Sequence, residues 1–482
     1  MNRTAFILIA VLTVLPLILS AIEFDLNSYQ VADYREDCLS IGLNNSGSSG
    51  NGSSEEYYQS GNYLEADFSE MRYSRQQSLL LKGNIGLTHS LKILTVDDST
   101  DLEKKYFSLA PNLGISGQYR RYILKNWFFE INISEDYSRD YDYKESFDVS
   151  KNREDEYNLD KNEFICEPGL GLGRRENATR ARQALYMLEE LEKTGMLIRE
   201  VNTTDVTYLA DLLVSVEHLR LFDSRLKTQE ALREVVNHLI MTGLIENAGI
   251  ENFLIVKDMY FYGDRYPRFS GWDFKAMMRY SNLKDEYNSN SRYYHFNPDY
   301  DDDIRDYTSV SNTDRYGPAL KFNYSRNFGK NWQLDIITDL DYMFNTFRYD
   351  HHSNQNQESL SRRDEDTKEL DLQTEVNLNW YVSTRTHLWA EISYDYEKIN
   401  GDGIDESFSD STYTEYDYDG EAQYFDFSLN AEYYISPRLF LDFSLTLHNI
   451  KIRDDYEGWE QRDYDYDSFS TRYSLKLNYD IF

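Results

Sequence analysis

The feature that most limits the fold is a period-2 alternation that returns along much of the chain. In residues 439–448, Leu439, Leu441, Phe443, Leu445 and Leu447 oppose Asp442, Ser444, Thr446 and His448. In residues 369–382, Leu370, Leu372, Val376, Leu378, Trp380 and Val382 oppose Glu369, Asp371, Gln373, Glu375, Asn377 and Asn379. Residues 424–433 and 472–481 repeat the pattern, and shorter cases lie at 79–87, 127–133, 316–324, 332–344 and 388–396. Side chains of an extended backbone point alternately to its two faces. Each stretch is therefore read as a strand with one apolar and one polar face.

Alternation alone does not separate a soluble sandwich from a membrane-spanning barrel. Strand length and connections do. The strands run to about 10–15 residues, long for a sandwich and suited to a tilted bilayer crossing. Tight turns near residues 325–330, 383–386 and 436–438 alternate with long, polar, Tyr/Asp-rich connections near 284–313, 349–368, 400–420 and 453–467. Tyr316, Trp332, Phe344, Trp380, Tyr394, Tyr396 and Tyr433 stand near strand ends, where interfacial aromatic girdles belong. At the N-terminus one Arg precedes an apolar run over residues 5–19, followed by Ser20 and Ala21. This predicts a secretory signal peptide cleaved after Ala21, since the run is short for a spanning helix.

Together these features resemble the Gram-negative outer-membrane β-barrel proteins, porin-like and transporter-like. The resemblance implies a mainly β fold, an antiparallel transmembrane β-barrel of about 14 strands. Even parity makes residues 34–44 the first strand and turns the Ser/Gly run at 44–54 into a surface loop. The long connections are then extracellular. Implied partners are outer-membrane lipid, lipopolysaccharide and the outer-membrane assembly machinery, which would read Tyr479, Ile481 and Phe482. Phe482 departs from the usual pattern, because it shares a face with Asp480 and Asn478.

Residues 174–250 break the alternation. Apolar residues at helical spacing (Ala184, Leu185, Leu188, Leu191; then Leu209, Leu212, Leu213, Val216; then Leu232, Val235, Val236, Leu239) predict a small three-helix insertion, with Gly195 and Gly243 closing the first and third helices. The chain thus divides into a signal peptide at 1–21, a first barrel part at 22–173, a helical periplasmic insertion at 174–262 and a second barrel part at 263–482. The insertion is a plug or gate, a docking module for a periplasmic partner, or a plain stabilising element.

A formal net charge of −34 argues against a nucleic-acid partner. The polar faces place Asp335, Asp339, Asp341, Asp371, Glu375, Glu391, Asp395, Asp426, Glu432 and Asp442 toward the lumen, with Lys321 and Lys476 among the counter-charges. Such a lining either concentrates cations in a passage or only braces a closed interior. Glu415, Asp417, Asp419 and Asp426 around Gly420 match part of a calcium-loop pattern, which suggests a weakly held calcium and no other cofactor. Gly169, Gly171 and Gly173 miss the dinucleotide spacing and fit a strand leaving a rim. The eight His residues bring no nucleophile–base pair together, so no enzyme is expected. Two readings stay open: a channel for small polar or cationic solutes, and a surface adhesin or structural protein whose loops bind glycans or divalent cations.

Overall fold

The structure is a computed structural model that describes residues 24–51, 55–96, 102–148, 151–217, 224–295, 303–354, 359–407, 412–436, 439–457 and 462–479. The expected signal peptide, Ile481 and Phe482 lie outside them. Fourteen strands form one antiparallel meander in which every strand pairs with its neighbours in sequence. They are β1 (Tyr34–Asn51), β2 (Glu55–Tyr73), β3 (Gln77–Val96), β4 (Leu102–Tyr122), β5 (Trp127–Asp148), β6 (Lys151–Asn177) and β7 (Phe269–His295). Then follow β8 (Asp303–Phe328), β9 (Trp332–Ser353), β10 (Ser359–Ser383), β11 (Thr386–Ser407), β12 (Thr412–Ser436), β13 (Leu439–Glu457) and β14 (Arg462–Tyr479). Among the described residues β1 pairs only with β2 and β14 only with β13.

The strands are longer than expected, at 18 to 27 residues. The segments read as long loops are largely strand: Asn400 pairs with Asp419, and Arg348 with Asp364. The Ser/Gly run is likewise paired, with Gly47 opposite Ser60. Away from the apolar zone both faces of a ribbon are wet, so hydrophobic periodicity disappears while the hydrogen-bond ladder continues.

Between β6 and β7 lie four helices, not three: α1 (Thr179–Lys193), α2 (Thr203–Glu217), α3 (Ser224–Met241) and α4 (Ile250–Tyr262). The α1 helix ends at Gly195 (φ 70°), where Met196 N–H reaches back to Leu191 O at 2.9 Å. At the start of α2, Asn202 and Asp205 exchange side-chain-to-backbone hydrogen bonds of 2.9 and 3.0 Å. That is a reciprocal N-terminal cap. Leu185, Leu188, Leu191, Leu209, Leu213, Val235, Leu239 and Val256 form a closed core, which Leu26, Tyr29 and Val31 from the N-terminal segment complete.

This helical unit sits at the short-turn end of the meander and touches strands far apart in order. Tyr34 of β1 and Tyr73 of β2 pack on its core. Arg268, between α4 and β7, donates to Lys330 O at 2.5 Å, at the β8–β9 turn. Asp258 pairs with Arg385 of the β10–β11 turn at 3.0 Å, and Tyr266 packs against Tyr381 and Tyr434 of β10 and β12. A sheet whose second and twelfth strands meet the same small unit is strongly curled around it.

Candidate functional site: the polar inner face

The face that carries the helical unit is the inner face, and it is polar. Because antiparallel partners share a face, one residue per strand fixes the rest. Inward positions include Glu130 (β5), Asp273 and Lys275 (β7), Asn323 and Ser325 (β8) and Asp335 and Asp341 (β9), all nearly buried. Outward positions are apolar yet exposed: Ile115 59%, Leu170 57%, Met278 52% and Leu475 72%. The strand wall is inside-out relative to a water-soluble protein.

Nearest the helical unit, Glu130 accepts from Arg120 at 2.5 Å and from Lys275 at 2.6 Å, while Arg120 also reaches Asp273 at 3.1 Å. Lys275 spans β6 to do so. It passes over Gly169 and Gly171, which leave that strand bare; a Cβ on Gly171 would fall 2.2 Å from the Phe128 ring. The glycine run therefore has two jobs, crossing and exit. Gly173, at φ 104°, marks where β6 leans out of the wall, and Glu176 beyond it accepts from Tyr73 of β2 at 2.7 Å. The next layer centres on Arg279, which donates to Glu167 at 2.5 Å, contacts Asp341 and lies 3.8 Å from Asp339. Asp339 also meets Lys321 at 3.3 Å.

The predicted lining residues fall into two groups. Asp335, Asp339, Asp341 and Lys321 are locked in networks; Asp335 accepts from Ser325 Oγ at 2.5 Å, from Gln333 Nε2 at 2.7 Å and from Asn379 Nδ2 at 3.2 Å. On β10 to β13 the wall is acidic and sparsely neutralised. Among the described residues Asp371 accepts only from Gln373 (3.1 Å), Glu375 contacts Asn377, Glu432 accepts from Tyr434 (3.1 Å), and Asp426 contacts His448. Glu391, Asp395 and Asp442 form no ion pair among the described residues, nor does Lys476, which lies opposite Asp442 in the ladder. The acidic half was legible in sequence. Arg120, Glu130, Lys275, Arg279 and Glu167 were not, because their pairing depends on cross-strand register.

Glu415, Asp417 and Asp419 occupy one face of β12 as extended strand, whereas Asp426 belongs to the other face. These four do not converge, and among the described residues no group of three or more acidic, His or Cys side chains gathers for a metal. Cys38 and Cys166 are free thiols on β1 and β6.

Where the helical unit meets the wall, two fully buried arginines lie together. Arg268 stacks 3.4 Å from the Tyr381 ring centroid and Arg182 4.8 Å from it. Arg182 donates to Gly263 O at 2.9 Å, but its Nε and Nη1, and Arg268 Nε, find no acceptor among the described residues. Burial first, then the neighbouring Arg182, push the Arg268 guanidinium down to about 9. The same contact holds Tyr266 against Tyr381, Tyr434 and His387. This buried joint ties the helical unit to the short-turn end of the inner face.

On the outer face aromatics form two belts. Trp127, Trp272 and Trp332 lie toward the short turns, Trp332 stacked on Trp380 at 5.2 Å. Tyr137, Tyr280, Tyr316 and Tyr342 lie higher on the same strands or beside them, Tyr316 stacked on Phe344 at 5.5 Å. Trp127 to Tyr137 and Trp332 to Tyr342 are each about ten residues apart, about 33 Å along the strand.

No protein-family profile and no curated protein sequence matches the chain. Solved structures do. The β domain of the Bordetella autotransporter BrkA matches with 9% identity and TM-score 0.26, over 76% of this chain and 92% of that one. A mutant of the monoaromatic hydrocarbon channel TodX, a P. putida protein, matches with 8% identity and TM-score 0.27, over 94% and 92%. The outer-membrane protease OmpT from Escherichia coli matches with 9% identity and TM-score 0.23, over 79% and 89%. At such scores the backbones do not superpose as wholes.

Proposed function

We propose that this chain is an outer-membrane β-barrel of a Gram-negative-type envelope that passes small polar or cationic solutes along an acidic lumen. The helical unit gates the periplasmic mouth. The observation that carries the reading is the inside-out wall: an exposed apolar outer face between two aromatic belts, around a charged inner face. Ten residues between belts, inclined by about 40°, span about 25 Å, the height of the lipid-facing band of such barrels. Soluble proteins do not expose contiguous apolar surface on this scale.

Selectivity follows from the uneven wall. The β4–β9 half is neutralised by Arg120, Lys275, Arg279 and Lys321, whereas Asp371, Glu375, Glu391 and Asp395 leave the β10–β11 side negative. A narrow passage lined this way favours cations. Gating follows from the joint of Tyr266, Arg268 and Tyr381, which holds four helices across the short-turn end.

Planar-bilayer conductance tests both statements. The protein should conduct weakly, with reversal potentials on the cation side. A variant lacking residues 178–268, with Asn177 and Phe269 joined through Asn-Gly, should conduct severalfold more, because those two residues are already paired. Anion preference, or no gain on deletion, would refute the channel reading. A second reading has its own observation: the ribbons beyond the belts expose Tyr413, Tyr464 and Tyr466, flat polar-tipped rings suited to sugars. Glycan binding by a protein that conducts in neither form would favour that adhesin role.

A further inference from the structure

On the inner face, just beyond the belt of Tyr316 and Phe344, β11 carries two glycines. Gly401 and Gly403 stand opposite Thr367 and Glu365 of β10 on one side, and opposite Tyr418 and Tyr416 of β12 on the other. We propose that the cleft built over these glycines binds neutral pyranose sugars, which gives the lumen a solute class.

The bare strand lets two rings part. Tyr416 lies across Gly403, where a Cβ would fall 2.4 Å from the ring. Its hydroxyl reaches β10, contacting Glu365 and accepting from Arg363 Nε at 2.8 Å. Tyr418, two residues on and on the same face, turns the other way. It lies over Gly420, where a Cβ would fall 2.4 Å from its hydroxyl, and donates to Asp454 of β13 at 3.2 Å. Anchors on opposite sides thus draw apart two neighbouring inward rings of one strand. The gap is a cavity of about 350 Å³, with Ile399 and Gly401 at its floor and the two rings, Arg363 and Thr367 around it. Ligand sites run from about 300 to 1,000 Å³, so this one suits a single sugar or a disaccharide.

The chemistry of the walls selects the occupant. Each Tyr offers a flat apolar ring with a hydroxyl at its edge, and the C–H face of a pyranose packs on such a ring. Arg363 only donates hydrogen bonds, Glu365 only accepts them, and the Thr367 hydroxyl does both. Sugar hydroxyls, each donor and acceptor at once, match that mixture. Arg363 and Glu365 are paired at 2.5 Å, so the cleft favours neither sign of charge. A cation there meets the Arg363 guanidinium, and an anion meets Glu365 inside an acidic lumen. A neutral polyol meets neither repulsion.

The neighbouring wall continues the pattern. One step toward the helical unit, Asn345 accepts from Arg315 Nε at 3.0 Å and donates to Glu369 at 2.9 Å and to Thr367 at 3.2 Å. One strand beyond β10, Phe347, Tyr349 and His351 fill three successive inward positions of β9. Their ring planes lie within 7° of one another, and the centroids are 6.5 and 6.4 Å apart. These half-buried parallel rings form a track beside the cleft, running from its level away from the helical unit.

Calorimetric titration of the detergent-folded full chain tests the proposal. The probes are glucose, galactose, maltose and cellobiose, with choline and glucose 6-phosphate as charged counterparts. At least one neutral sugar should bind saturably, and both charged probes at least about tenfold more weakly. Ile399→Trp fills the floor and keeps both rings, whereas Tyr418→Ala removes a wall. Each should weaken sugar binding by at least about tenfold at the unboiled mobility of the parent protein, and Tyr464→Ala on β14 should leave it unchanged. No saturable binding of any of the four sugars to the unmodified protein overturns the proposal without recourse to a variant. Preference for choline overturns it in favour of a cation held by aromatic faces. Binding lost in Tyr464→Ala and kept in both cleft variants belongs to the outer ribbons, and overturns it too. The solute class rests on the channel reading, but the titration does not depend on conduction. Cation-selective conductance without sugar binding fails this inference alone, and sugar binding at the cleft without conductance fails the channel reading and leaves the site standing.

Discussion

Arg279 holds Glu167 and Asp341 directly and stands 3.8 Å from Asp339, and none of these side chains is more than about a quarter exposed. Removing a partner from such a cluster strands the remaining charges, which costs more than the pairing gained. Arg279→Ala should lower stability by about 1–3 kcal/mol in thermal unfolding of the detergent-folded protein, and should shift reversal potentials further toward cations. Gly171→Ala tests steric economy instead. Its Cβ has no room beside Phe128, which is fully buried, so the loss should be about 1–3 kcal/mol, read from the temperature at which compact gel mobility is lost. The carboxylates of β9 to β13 could be found in the sequence because most sit between apolar residues of the same strand. The Arg120–Glu130–Lys275 network could not, because Lys275 meets Glu130 only after three strands have chosen their register.

Elements differ in how plainly they announce themselves. The later strands were readable from alternation inside the apolar zone, and their extensions were not, because a ribbon wet on both faces carries no such signal. Helix α4 escaped for the opposite reason. Its sequence IENFLIVKDMYFY is apolar all around, with Leu254 exposed and Val256 buried, so no helical stripe stands out. The helical unit also carries a pH response. His238 on α3 keeps Nε2 buried without a hydrogen-bond partner among the described residues, and desolvation lowers its pKa despite the attraction of Asp205. The unfolded chain takes up a proton near pH 6.5 and the folded unit resists it. Stability from this group is therefore present at neutral pH and declines as pH falls below about 6.5. Arg199, by hydrogen bond, holds Asp205 below its ordinary value, so that contribution persists until much lower pH. Between pH 7 and 5, protection factors of the α3 amides, corrected for the intrinsic pH dependence of exchange, should fall, and His238→Gln should flatten the response. An unchanged slope in the variant would exclude His238 as its source.

At the scale of the whole molecule, the wall and the helical unit are different kinds of object joined along the short-turn end. The wall has an inverted polarity and gains its coherence from ladders and lipid. The unit has an ordinary apolar core and gains coherence from water. That contrast explains why composition misleads: a mean hydropathy of −0.68 belongs to a chain that presents apolar side chains only at every second residue, and only between the aromatic belts. The strand ladders continue well beyond those belts. Twenty-two residues of β9 or β11 measure about 70 Å, against the roughly 25 Å that lipid covers. A protease needs an unpaired stretch of backbone to bind, and the ribbons offer their scissile bonds already engaged on both sides. Arg153, Arg292, Arg348 and Arg363 all lie in such paired segments, so trypsin applied to the detergent-folded protein should leave these positions uncut. The ribbons beyond the belts are armoured by their own hydrogen bonds.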